Sequence, residues 1–382
     1  MGFFAVKQNV SSHYHLYDRD LLWAVIVLMV FGVLMVTSAS MPLSELQPFK
    51  YTQRQLAQIG LAIFMMIIVL YIPMQRWQQF SVVLLILTIL MLILVHFVGS
   101  SINGASRWIP LGIFNFQPAE LTKLALFCYL ASYSTRKFNE VQSSFVGFLK
   151  PMVIMAVLSV LLLLQPDLGT VIVLFVVTLG ILFIAGAKLW QFVAILLGGL
   201  IGFLLLIIFE PYRMLRFMTF LDPWKDQTGS GYQLTNSLMA IGYGGFFGEG
   251  LGNSAQKTGY LPEAHTDFVF SIIAEELGYV GVIVLLTLLF FLAFKALSIG
   301  YRALSVGSLF SGYLACEIGI WFGFQTFVNV GMTSGMLPTK GLTLPFISYG
   351  GSSLIITSVA VAILLRIDFE FRQQKIQARI KA

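Results

Sequence analysis

The residues of this chain that could do chemistry are acids set in apolar surroundings and cations spaced to grip an anion. Asp267, Glu275 and Glu276 enter one long apolar run from the same end. Carboxylates in such a run are costly and invite a functional reading. Against that, an acid in a first helical turn also complements the helix dipole, and Glu275 or Glu276 would be neutralised by a buried base such as Lys123. Glu120 and Lys123, three apart, share one helical face and read equally as a charge-neutralising pair or as substrate contacts. Asp167 follows Pro166 at a helix start, where a carboxylate suits the dipole. Arg213 and Arg216 would share a face if helical and hold a phosphate bidentately. Ser348-Tyr349-Gly-Gly-Ser-Ser353 opens another run with unspent backbone N–H groups, either an anion seat or a site of close helix packing.

The elements that must position these residues are membrane helices. With 58% hydrophobic residues, 10% charged and a mean hydropathy of +0.88, a water-soluble protein is excluded. Apolar stretches run over residues 21–41, 55–72, 78–98, 117–133, 148–164, 168–186, 189–209, 268–294, 307–331 and 344–365, each long enough to span hydrocarbon. The reading is an all-α polytopic membrane protein of about ten transmembrane helices, since no alternating barrel pattern appears. The eighth is the longest, with Asp267 in its first turn and Thr266 as its cap. The first run is read as an uncleaved helix rather than a signal peptide.

Lys and Arg fall fourteen to one side and eight to the other, which places both termini in the cytoplasm. Residues 1–20 then form a cytoplasmic tail, 21–366 the ten-helix domain and 367–382 a basic cytoplasmic tail. The segment 210–266, between the seventh and eighth helices, becomes a large periplasmic loop. On this map Arg107, Glu120, Lys123, Asp167, Arg213, Arg216, His265, Asp267 and Ser348 to Ser353 all gather on the outer face, where one site could use them. Five basic residues, Arg366, Arg372, Lys375, Arg379 and Lys381, fall in the short tail after the last apolar run, a flank for anionic lipid rather than a nucleic-acid surface. Cys128 and Cys316 have no partner at ligand spacing, so no zinc site or disulfide framework is expected. Six glycines between Gly242 and Gly252 could form an anion-binding nest, but neither a P-loop nor a dinucleotide-binding turn.

Four motifs carry a resemblance: Gln165-Pro-Asp-Leu-Gly-Thr170, Leu261-Pro-Glu-Ala-His-Thr-Asp-Phe268, Glu275-Glu-Leu-Gly278 and the run from Met336 to Ser353. Together they resemble the SEDS family of bacterial cell-wall polymerases across all ten runs. Pro338-Thr-Lys-Gly-Leu-Thr343 and Tyr17-Asp-Arg-Asp20 point to its division branch rather than its elongation branch. The resemblance implies a peptidoglycan glycosyltransferase of the inner membrane at the division septum. It would use lipid II and work with the class B penicillin-binding protein FtsI and other division proteins.

By the same resemblance Asp267 matches the catalytic aspartate, and Arg107, Glu120, Lys123 and Asp167 match residues of a central cavity. His265, Ser348 and Tyr349 are carried as further substrate contacts. Arg213, Arg216 and Lys123 are the expected anchors for the substrate diphosphate at the outer rim, with or without a divalent cation; no other cofactor is expected. A lipid II flippase and a non-catalytic division scaffold are the alternatives. A polar cluster on one face, rather than a polar path through the bilayer, favours the enzyme.

Overall fold

The computed structural model describes residues 17–43, 46–102, 105–110, 115–209 and 211–381. Helices stand on each of the ten apolar runs: α1 (Arg19–Ser40), α2 (Lys50–Leu70), α3 (Met74–Val98), α4 (Pro118–Arg136), α6 (Phe145–Leu163), α7 (Leu168–Ile184), α8 (Leu189–Ile208), α11 (Val269–Ser305), α12 (Leu309–Thr333) and α13 (Gly351–Lys381). Among the described residues, five helices (α1, α2, α3, α6 and α11) are long and apolar enough to cross a membrane by length and composition, while α7 and part of α8 are shorter apolar helices. Large apolar side chains point outward from them, among them Phe64, Val83, Ile93 and Val284. An outer surface of that kind is stable where the surrounding solvent is lipid.

The centre belongs to α4, α12 and α13. Leu124 to Cys128 on α4, Trp321 on α12 and Ala360 to Leu365 on α13 are almost completely buried. At one end of the bundle, Asp18 accepts a hydrogen bond from the Leu21 amide at 3.2 Å and so caps α1. The same carboxylate meets Lys295 of α11 at 3.3 Å, Arg302 of α11 at 3.7 Å and Arg372 of α13 at 3.9 Å, tying three helices together.

The structure refines the sequence reading in three places. The all-α class holds, with a small antiparallel sheet beside the helices: β1 (Ser100–Ile102), β2 (Ala105–Pro110) and β3 (Asn115–Phe116) in the order β1-β2-β3. Strands this short carry too few alternations to be read from the sequence. A short helix, α5 (Phe138–Ser143), also bridges α4 and α6, and the segment 211–266 contributes α9 (Pro211–Leu221) and α10 (Tyr232–Tyr243).

The second correction concerns α11, which begins at Val269, so Asp267 lies in the turn before it. Thr266 does not cap the helix; its hydroxyl donates back to the Glu263 carboxylate at 2.6 Å. The helix is also broken at Gly278, whose φ of 65° and ψ of −164° suit only glycine. The glycine-rich turn after α10 fills the break. Glu249 and Gly250 donate to the carbonyls of Glu275 and Glu276, and Tyr279 and Val280 donate to those of Gly245 and Phe246. A Cβ at Gly278 would collide with the Gly248 backbone.

The third correction is the partner of the buried acids. Glu276 pairs with Lys257 at 2.6 Å, not with Lys123, and also accepts from the Ser38 hydroxyl. Glu275 accepts from the Ser254 hydroxyl at 2.5 Å and the Ala255 amide at 2.8 Å. Both acids therefore hold the loop before Asp267 against the bundle.

Candidate active site

A cavity of about 1050 Å³ opens where the loops around β2, the start of α7, the turn before α11 and the start of α13 converge. Its wall includes Arg107, Glu120, Asp167, Glu263, Asp267, Lys340 and Tyr349. Acids and bases share one pocket of a size that suits a large polar headgroup.

Each position has a local cause. Pro118 starts α4 with its fixed φ, which sets Glu120 in the first turn of that helix. Asp167 caps α7: its carboxylate accepts from the Thr170 amide at 3.1 Å and from the Thr170 hydroxyl at 2.8 Å. Arg107 reaches from β2 to the same turn, donating to the Gln165 carbonyl at 2.7 Å and the Pro166 carbonyl at 2.9 Å. Part of its charge is thus held at the cavity wall by backbone rather than by a carboxylate.

Asp267 is half-buried, and its main chain is tied to α12 because the Asn329 side chain donates to the Asp267 carbonyl at 3.0 Å. Beside it, His265 packs between Tyr51 and Tyr349, with ring centroids 4.6 and 5.6 Å away. The Tyr349 amide donates to the His265 carbonyl at 2.9 Å. Burial pushes the His265 imidazole below its usual value, so it is neutral near pH 7. His265 therefore braces the turn that carries Asp267 and does not itself line the cavity. Ser348 is likewise buried, its hydroxyl accepting from the Leu344 amide at 2.7 Å. Gly350, Ser352 and Ser353 bring the first turn of α13 to the cavity wall.

Lys123 departs from its expected place at the outer rim. It is completely buried behind Glu120, 2.9 Å from that carboxylate, 3.2 Å from the Gln325 side-chain amide oxygen and 4.8 Å from the Trp321 ring centroid. One helical turn below Glu120, its stem points toward α12 and not into the pocket. Arg213 and Arg216 lie on α9, three residues apart, but their side chains fall outside the described residues. Among the described residues no group of three or more His, Cys, Asp or Glu side chains could hold a metal ion.

Sequence reasoning missed Glu263, Thr339, Lys340 and Gly341 as wall residues, although the motifs at Leu261 and Met336 contain them. It also missed Gln325 and Asn329. Two carboxamides four residues apart inside an apolar run were the available signal.

Comparison with known proteins places this geometry in context. The family model FTSW_RODA_SPOVE, described as "Cell cycle protein", matches residues 19–373. A probable peptidoglycan glycosyltransferase FtsW of Escherichia coli O6:H1 (strain CFT073) is 58% identical over 369 residues, covering 96% of this chain and 89% of the relative. The protein of that name from Buchnera aphidicola is 50% identical over 371 residues, covering 96% of this chain and 93% of the relative. Among solved structures, a chain of a peptidoglycan synthase complex aligns with a TM-score of 0.75 at 28% identity, over 93% of this chain and 98% of that one. The rod shape determining protein RodA of Thermus thermophilus aligns with a TM-score of 0.69 at 30% identity, over 92% and 96%.

Proposed function

The chain belongs to the cell cycle protein family of FtsW, RodA and SpoVE, and from that premise we propose that it is a peptidoglycan glycosyltransferase that polymerises lipid II. The observation that carries the mechanism is the half-buried Asp267 on the wall of a cavity that also holds Arg107, Lys340 and the start of α13. Asp267 takes the proton from the acceptor sugar hydroxyl as that oxygen attacks the anomeric carbon of the donor. The bond from that carbon to the undecaprenyl diphosphate breaks, with inversion. Arg107 and the first backbone N–H groups of α13 meet the negative charge that develops on the leaving group. A diphosphate departs readily, so one placed carboxylate suffices where a retaining glycosidase needs a close pair.

The protein is a multi-pass inner-membrane protein. At the septum it works with a class B penicillin-binding protein; the resemblance to a synthase complex supports that partnership. The test is reconstitution: purified protein, the penicillin-binding partner and lipid II in detergent, with glycan chains as readout. Detergent has no second leaflet, so a protein that only moves lipid II across a membrane would make none.

The orientation predicts a further result. The charge asymmetry supports cytoplasmic termini and a periplasmic segment 210–266. Gln227 and Ser143 are exposed on segments assigned to opposite sides, and both native cysteines are buried. An impermeant thiol reagent on intact spheroplasts should label Gln227→Cys and spare Ser143→Cys. The reverse pattern would invert the map and move the cavity to the cytoplasmic face.

A further inference from the structure

We propose that Asn329 and Gln325 of α12 form a carboxamide clamp that sets the position of Asp267, with Gly341 leaving the space its carboxylate needs. The inference rests on Asp267 being the base of the proposed reaction. Neither amide lines the cavity, so both are positioning residues.

The geometry starts from spacing. Gln325 and Asn329 are four apart, so both project from one face of α12 toward the loop between α12 and α13. Both are completely buried. Asn329 donates through Nδ2 to two carbonyls at once, that of Asp267 at 3.0 Å and that of Leu342 at 2.6 Å. One turn away, Gln325 donates through Nε2 to the Thr343 carbonyl at 2.7 Å. Two loops distant in sequence, one bearing Asp267 and the other bearing Gly341 to Thr343, are therefore fixed to a single rigid helix and to each other.

The helix side of the clamp is fixed as well. Gln325 Oε1 accepts from the Trp321 indole at 2.6 Å and from Lys123 at 3.2 Å, so the orientation of its amide is set by both ends. That gives buried Lys123 a role: with Glu120 it secures the clamp from behind. The loop side shows the same economy of space. A Cβ built on Gly341 would stand 3.0 Å from Asp267 Oδ2, tighter than ordinary contact. Gly341 has no left-handed φ to justify glycine, so the close approach is what its missing side chain allows.

A base displaced by about 1 Å can lose on the order of 100-fold in rate. Asn329→Ala removes the shared donor, and Gly341→Ala pushes on the carboxylate without disturbing the buried amides. Each is expected to lower kcat for lipid II polymerisation about 10- to 100-fold, and for Asn329→Ala, whose side chain lies off the cavity, KM stays within about two-fold. The decisive measurement is a double-mutant cycle on an Asp267→Glu background, whose carboxylate is already misplaced. If the clamp acts through Asp267, adding Asn329→Ala or Gly341→Ala there should cost less than about three-fold.

Full multiplication of the losses would overturn the proposal, as would wild-type kcat in both single variants. If Asn329→Ala does not fold, Gly341→Ala decides the matter alone, with thermal unfolding and lipid II binding confirming an intact protein. Failure of the underlying reading looks different: Asp267→Asn would then be active, whereas failure of the clamp alone leaves Asp267→Asn inactive.

Discussion

Asp267→Asn is expected to reduce glycan polymerisation about 10²- to 10⁴-fold, the usual contribution of general-base catalysis, while the protein still inserts, binds its penicillin-binding partner and binds lipid II. Asparagine keeps the size of the side chain but cannot take the proton. The turn itself should survive, because Asn329 holds residue 267 through its main-chain carbonyl, which the substitution leaves in place. Asp267→Glu is the companion variant: it keeps the acid and moves it, with an expected loss on the order of 100-fold. Both are measured as lipid II polymerisation in detergent with the partner present. Glycan synthesis by Asp267→Asn at near wild-type rate would remove the base assignment, and Glu263, the other carboxylate that this loop brings to the cavity, would become the next candidate.

The second large effect is on stability. Glu276 is completely buried, and its charge is met by Lys257 at 2.6 Å and by the Ser38 hydroxyl. Lys257→Met strands that carboxylate in the bundle, and breaking a buried pair from one side typically costs about 3–5 kcal/mol. The double variant Lys257→Met with Glu276→Gln removes both charges and should recover most of the loss, because a neutral amide is far cheaper to bury than an unpaired carboxylate. Thermal unfolding of the purified proteins in one detergent measures both. An unchanged midpoint for Lys257→Met would mean that the pair contributes nothing to holding the loop.

The long apolar runs were legible because hydrocarbon imposes a length and a composition that no other constraint imitates. All ten carry helices, with ends within a few residues except at the start of α2, the C-terminal end of α11 and both ends of α13. The cavity wall was legible where a polar residue stood out from an apolar context, as Glu120, Asp167 and Asp267 do. What escaped depends on three-dimensional partners. Lys123 reads the same on paper whether it faces a diphosphate or a tryptophan and a glutamine, and only packing against α12 decides. Lys257 lies in a polar loop, where nothing in the sequence marks it as the counter-charge of Glu276. The break at Gly278 was hidden because a single glycine in an apolar run is common in membrane helices, and its conformation follows from a turn some thirty residues earlier.

That break bears on how the chain is made. The stretch from Tyr279 to Ser305 is about 40 Å of helix at 1.5 Å per residue, enough to cross a bilayer by itself. The short piece before it, with Glu275 and Glu276, has its last carbonyls served by the turn at Gly245 to Gly250, and one of its two charges met by Lys257. Both the turn and Lys257 are synthesised earlier than the acids they serve. The loop can therefore meet the charge of Glu276 and the free carbonyls of the acidic piece without waiting for any later segment, and the deep span needs nothing from that piece to be long enough to cross the bilayer.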